Sequence, residues 1–102
     1  MELSEEQLKA VEEIAAAAYS PREVAFQIGL NPSKFVMAVK DEEHPASMAY
    51  FKGFLSSEFS VRQSVMTLAR NGSSPAQTLA NQLFNDTRLN LYSSGFSFTE
   101  EG

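Results

Sequence analysis

The stretch SPREVAFQIGLNPSKFVMAV, Ser20–Val39, reads as two short helices joined by a tight turn. Ser20 can cap the first helix, Pro21 suits its first position, and Glu23 completes a capping box with Ser20. Val24, Ala25 and Ile28 form its apolar stripe, and Gly29 supplies the left-handed residue that stops it. Asn31 and Pro32 repeat the start signal, and Phe35, Val36 and Val39 can turn inward from the second helix. A pair of this kind either reads DNA or only packs, and the rest of the chain bears on the choice.

Upstream, Ser4 and Gln7 form a second capping box, followed by Leu8, Val11, Ile14, Ala15 and Ala18 at helical spacing. Downstream, DEEHP (41–45) breaks the pattern, because the residue before Pro45 avoids helical geometry. Residues 45–70 then read as one helix with a wide apolar surface of Met48, Phe51, Phe54, Leu55, Phe59, Val61, Val65, Met66, Leu68 and Ala69. Lys52, Ser56, Ser60, Gln63, Thr67 and Arg70 mark its polar side. Gly53 inside it predicts a bend or a close helix crossing. Gly72 stops this helix, and Ser74 and Pro75 start another, with Ala76, Leu79, Ala80, Leu83, Phe84 and Thr87 spaced to about Asn90. The tail 91–102, with Leu91, Tyr92, Phe96 and Phe98, reads as non-helical, a short strand or an arm.

The fold expected is therefore all-α. A three-helix head spans 1–44, a long-helix/short-helix hairpin for oligomerisation spans 45–90, and a non-helical tail spans 91–102. A helix over 45–70 would run roughly 39 Å, against a radius of gyration of about 13 Å for a chain of this size. Its apolar face exceeds what the short last helix covers, so a second copy of the chain is the expected cover.

Composition limits the chemistry. The 102 residues suit one small domain, and 43% are hydrophobic, which fits a folded chain rather than disorder. No apolar run approaches a membrane span, and the acidic start lacks the order of an export signal, so an intracellular protein is expected. There is no cysteine, so disulfides and thiolate metal sites are impossible. The single histidine, His44, lies in the acidic linker, where a solvated side chain is expected. Neither a catalytic triad nor a zinc site can be assembled from one histidine. DEEH lacks the spaced oxygens and the glycine of a calcium loop, and the glycines form no phosphate cradle. The expectation is a non-enzyme with no metal and no cofactor.

The net charge of −5 argues against a generic nucleic-acid coat. The charge is uneven, however: residues 1–19 sum to −4, residues 20–40 to +2, and residues 41–43 to −3. The positive balance falls on the quoted stretch. Ala25, Gly29 and Phe35 stand at the intervals a DNA-reading helix-turn-helix needs: a small crossing residue, a turn glycine and a core anchor. The second helix would offer Asn31, Ser33, Lys34, Met37 and Lys40 to a groove, with its N-terminus and Ser20 near phosphates and Arg22 assisting. The same spacing is common in helical proteins that touch no nucleic acid, and the presented surface is poor in arginine.

The order of an acidic first helix, SPREVAFQIGL, DEEHPASMAYFKG, a long helix and VRQSVMTLARNGSSPAQTLANQLF resembles phage and prophage terminase small subunits over about residues 4–90. The resemblance implies an N-terminal helix-turn-helix that recognises packaging-site double-stranded DNA through Arg22, Ser33, Lys34, Met37 and Lys40. It implies a helical region, 45–90, that assembles copies into a ring, and a C-terminal segment that engages the ATP-hydrolysing large subunit. The cytoplasm of a bacterial host is the implied location. The homo-oligomer interface is expected at Phe51, Phe54, Phe59, Val61 and Val65. The alternative is a helical oligomerisation module that binds only protein.

Overall fold

The computed structural model describes residues 1–96. Five helices follow in order: α1 (Glu5–Ala15), α2 (Pro21–Ile28), α3 (Pro32–Lys40), α4 (Pro45–Arg70) and α5 (Ser74–Ser93). No strand occurs among the described residues, and the fold is all-α. The chain divides into two compact units, Met1–Ser60 and Val61–Gly102, with the division inside α4.

In the first unit, local sequence signals set the helix starts. The Ser4 hydroxyl accepts from the Gln7 N–H at 3.1 Å, and the Gln7 side chain accepts from the Ser4 N–H at 2.9 Å. Ser20 and Glu23 repeat the exchange at α2, and the Asn31 side chain accepts from the Lys34 N–H at 2.9 Å at α3. Gly29, at φ 74°, lets the Leu30 N–H turn back to the Ala25 carbonyl at 2.9 Å, which closes the turn between α2 and α3.

The core draws Val11 and Ala15 from α1, Val24 and Ala25 from α2, Phe35, Ala38 and Val39 from α3, and Ala46 and Tyr50 from α4. Phe35 is the largest fully buried side chain. Burying a phenylalanine completely contributes about 1.5–3 kcal/mol, so this one residue anchors α3 strongly. The first turns of α4 belong to this core, which is why the unit runs past the 44/45 boundary read from the sequence. The Tyr50 hydroxyl donates to the Tyr19 carbonyl at 2.8 Å, tying α4 to the loop after α1. Gly53 is buried against α1: a Cβ there would overlap the Glu12 carbonyl oxygen and stand 2.8 Å from its carbon. Of the two sequence readings for Gly53, the close crossing is the one realised.

Two expectations in this unit need correction. Ala18 does not continue the α1 stripe. The helix ends at Ala15, and Ala18 sits at φ 70°, the only positive-φ residue other than glycine among those described. Contracted bonds from the Ala17 and Ala18 N–H groups, to Ile14 and Ala15 at 3.0 and 2.9 Å, tighten the last turn. His44 is not a freely solvated linker residue. Its Nδ1 accepts from the Ala46 N–H at 3.0 Å, capping the start of α4, and its Nε2 lies 2.7 Å from the Met1 carbonyl oxygen. With Nδ1 accepting, the proton belongs on Nε2, which donates to Met1.

In the second unit α5 begins at Ser74 and Pro75 as read, and Ser73 caps it, accepting from the Ala76 N–H at 3.4 Å. The Gln77 side chain donates to the Ala69 carbonyl at 3.1 Å, and Ala76 and Ala80 are buried. The tail reading is also corrected: Leu91, Tyr92 and Ser93 are helical. Neither proline nor glycine interrupts residues 76–94, so α5 runs on until Gly95, at φ 94°. There the Phe96 N–H bonds back to Leu91 at 2.9 Å and the Gly95 N–H to Tyr92 at 3.0 Å. Phe98 and the rest of the tail lie outside the described residues. Among the described residues, no helix is long and apolar enough to cross a membrane.

Candidate nucleic-acid interface

The residues proposed to face DNA all lie in the first unit, on α2, α3 and the turn between them. Arg22, Asn31, Ser33, Lys34, Met37 and Lys40 are all exposed. Phe35, Ala38 and Val39 hold α3 in the core from its other side, so the outward direction of these side chains follows from the burial of the inward ones. Met37 is 66% exposed, which leaves a large flexible apolar side chain in solvent between the two lysines.

The two helix N-termini differ. At α2, the Glu23 carboxylate accepts from Ser20, first through the backbone N–H and then through the hydroxyl. These bonds hold its carboxyl below the ordinary carboxylate range. A fixed anion therefore occupies the end of α2, and Ser20 is committed to it, so neither is well placed to meet a phosphate. At α3 the first turn carries no acid. Asn31 Oδ1 is spent on the Lys34 N–H, but its amide donor remains available, beside Ser33 and Lys34. The α3 end is thus the better anion acceptor of the two.

Ser33, Lys34 and Met37 share one shallow concavity of about 410 Å³ with Met1, Ala38, Asp41 and His44. Arg22 stands apart from this lining: its guanidinium carbon lies 5.4 Å from the Phe26 ring centroid, over the face of an exposed aromatic. Phe26 was not singled out from the sequence, although its position four residues after Arg22 on one helix is the signal that would find it. Met1 and His44 reach the concavity through a contact 43 positions apart in the chain, which no local pattern reveals.

The residues expected to form an assembly interface are divided. Phe51 and Phe59 are exposed in the first unit, and Val61 is exposed in the second. Val65 is half-buried. Phe54 is packed against the first unit's own core and stacks on Tyr50, with ring centroids 6.0 Å apart. Among the described residues there is no group of three or more histidine, cysteine, aspartate or glutamate residues that could hold a metal ion.

A scan against family models found no match, and comparisons with curated proteins and with solved structures found none either.

Proposed function

We propose that the protein is a non-enzymatic, self-associating DNA-binding adaptor of the terminase small-subunit type. In this reading it recognises double-stranded packaging DNA, assembles as a ring and recruits a large subunit through its C-terminal segment. The observation that carries the reading is the outward surface of α3. Ser33, Lys34, Met37 and Lys40 are exposed on a helix anchored by Phe35, at an N-terminus free of acids. One copy offers Arg22, Lys34 and Lys40, enough for two or three phosphates, which corresponds to a salt slope of roughly −2 to −3. That is weak binding, opposed by exposed Asp41, Glu42 and Glu43. Many copies on one duplex add avidity of about 10²–10⁴-fold without any new contact.

The test is fluorescence anisotropy with a labelled duplex across a salt series. Lys34→Ala/Lys40→Ala is expected to bind more weakly, with a shallower slope and unchanged oligomer mass. Equal binding by wild type and the double variant would move the DNA surface elsewhere. An absence of binding to any duplex at low salt would leave the second reading, a helical module that binds only protein. The exposed apolar side chains of Phe26 and Met37 on the same two helices favour that second reading.

A further inference from the structure

α3 offers a narrow set of groups to anything that lies along it. Phe35, Ala38 and Val39 fill one side of the helix and are buried in the core. At about 100° of rotation per residue, Met37 stands at the middle of the opposite side, roughly 150° from the mean direction of those three. Lys34 and Lys40 stand roughly 60° to either side of Met37. Ser33 completes the outward face, and residues 31–40 contain no acid. The ridge of the helix is apolar and its two flanks are cationic.

We infer that Met37 is the residue that reads base identity, by packing on the C5 methyl group of thymine in the major groove. The inference rests on the DNA-binding reading proposed above and gives that surface a preference for A·T pairs. The major groove, about 12 Å wide, admits one helix, whose ridge then faces the base edges while its flanks face the two phosphate walls. Lys34 and Lys40 meet phosphates there, which fixes the position of the helix but carries no sequence information. The polar groups on this face discriminate poorly. Asn31 would need both its oxygen and its amide nitrogen to pair with adenine, and the oxygen already accepts from the Lys34 N–H at 2.9 Å. Ser33 can donate to or accept from any base edge. Met37 has only a weakly accepting sulfur, so the group in the groove that it favours is the thymine methyl. Its side chain is 66% exposed in the free protein, so the contact removes apolar surface from water on both partners. Its unbranched, polarisable chain adapts to the methyl without a fixed rotamer.

The test compares two labelled duplexes of one A·T-rich sequence by fluorescence anisotropy, one with thymine and one with uracil at every thymine position. The replacement removes the methyl groups and leaves the charge and the hydrogen-bonding edges of the bases unchanged. Wild type is expected to bind the thymine duplex about fourfold more tightly for each copy engaged, the effect of burying one carbon group of that size, with the same salt slope on both. Met37→Ala is expected to bind the two duplexes equally, with an unchanged melting curve because the side chain is exposed. Lys34→Ala/Lys40→Ala is expected to weaken binding to both alike and to keep their ratio. Equal binding of the two duplexes by wild type, or a thymine preference that survives in Met37→Ala, overturns the reading of the methyl by Met37 and leaves the DNA-binding adaptor standing. Binding to neither duplex at low salt overturns both.

Discussion

The two faces of α4 in the first unit invert the usual size order. The inner face uses Ala46, Tyr50 and Gly53; the outer face carries Met48, Phe51, Leu55 and Phe59. If hydrophobic bulk alone chose the core, the outer face would be inside. What decides is how closely the helices approach. α1 and α4 meet backbone to side-chain-free backbone at Glu12 and Gly53, and only small residues permit that separation. The bulky side chains of the other face are left exposed.

The comparison breaks most visibly at Gly53. Gly53→Ala should cost about 3 kcal/mol in chemical denaturation, because the methyl group meets backbone that cannot turn aside. A loss under about 0.5 kcal/mol would mean that the close crossing does not hold the inner face. Next is Tyr50, where Tyr50→Phe should cost about 1 kcal/mol by leaving the Tyr19 carbonyl without its donor. Burial, and secondarily the negative charge of Glu23, raises the Tyr50 hydroxyl above the ordinary tyrosine range. A raised folded value means that the neutral form is favoured in the fold. The contribution is therefore complete below about pH 10 and is lost as pH rises through the folded value. Wild type should lose stability in that alkaline window more steeply than Tyr50→Phe.

Ala18 sharpens the same side of the comparison. Ala18→Gly should stabilise the unit by about 1 kcal/mol in thermal melts, because the left-handed conformation that ends α1 costs alanine that much. The smallest effect belongs to the outer face: Phe59→Ser should leave single-copy stability within about 0.5 kcal/mol, since the side chain is exposed. A large loss there would show that Phe59 supports its own subunit and that the two faces are not functionally distinct.

Local chemistry made much of this legible. Ser4 with Gln7, Ser20 with Glu23, Asn31 and Gly29 act within a few residues, and the structure uses each as expected. Of the inward face of α4 only Gly53 was legible, as a close crossing; Ala46 and Ser47 carry no hydrophobic signal, and Tyr50 was passed over for the more conspicuous residues that point the other way. Phe54 was read with the outer residues but stacks on Tyr50 within its own core. The helical state of residues 91–93 was missed because the stop signal, Gly95, lies beyond the last apolar residue that kept the spacing. At the candidate interface, Arg22, Lys34 and Lys40 could be placed outward because their neighbours on the other side are apolar. The commitments of Ser20 to Glu23 and Asn31 to Lys34 were implicit in the capping signals. The arrival of Met1 and His44 beside Lys34 depends on the tertiary fold and had no local signature.

The most direct test of the division of labour in α4 is sedimentation equilibrium of wild type and Phe59→Ser over a wide concentration range, with melting curves on the same samples. The expected result is a wild-type mass that rises with concentration, a variant that stays at one copy, and coincident melts at dilution. A wild type that stays at one copy at the highest concentration, or a variant that assembles as wild type does, would contradict it.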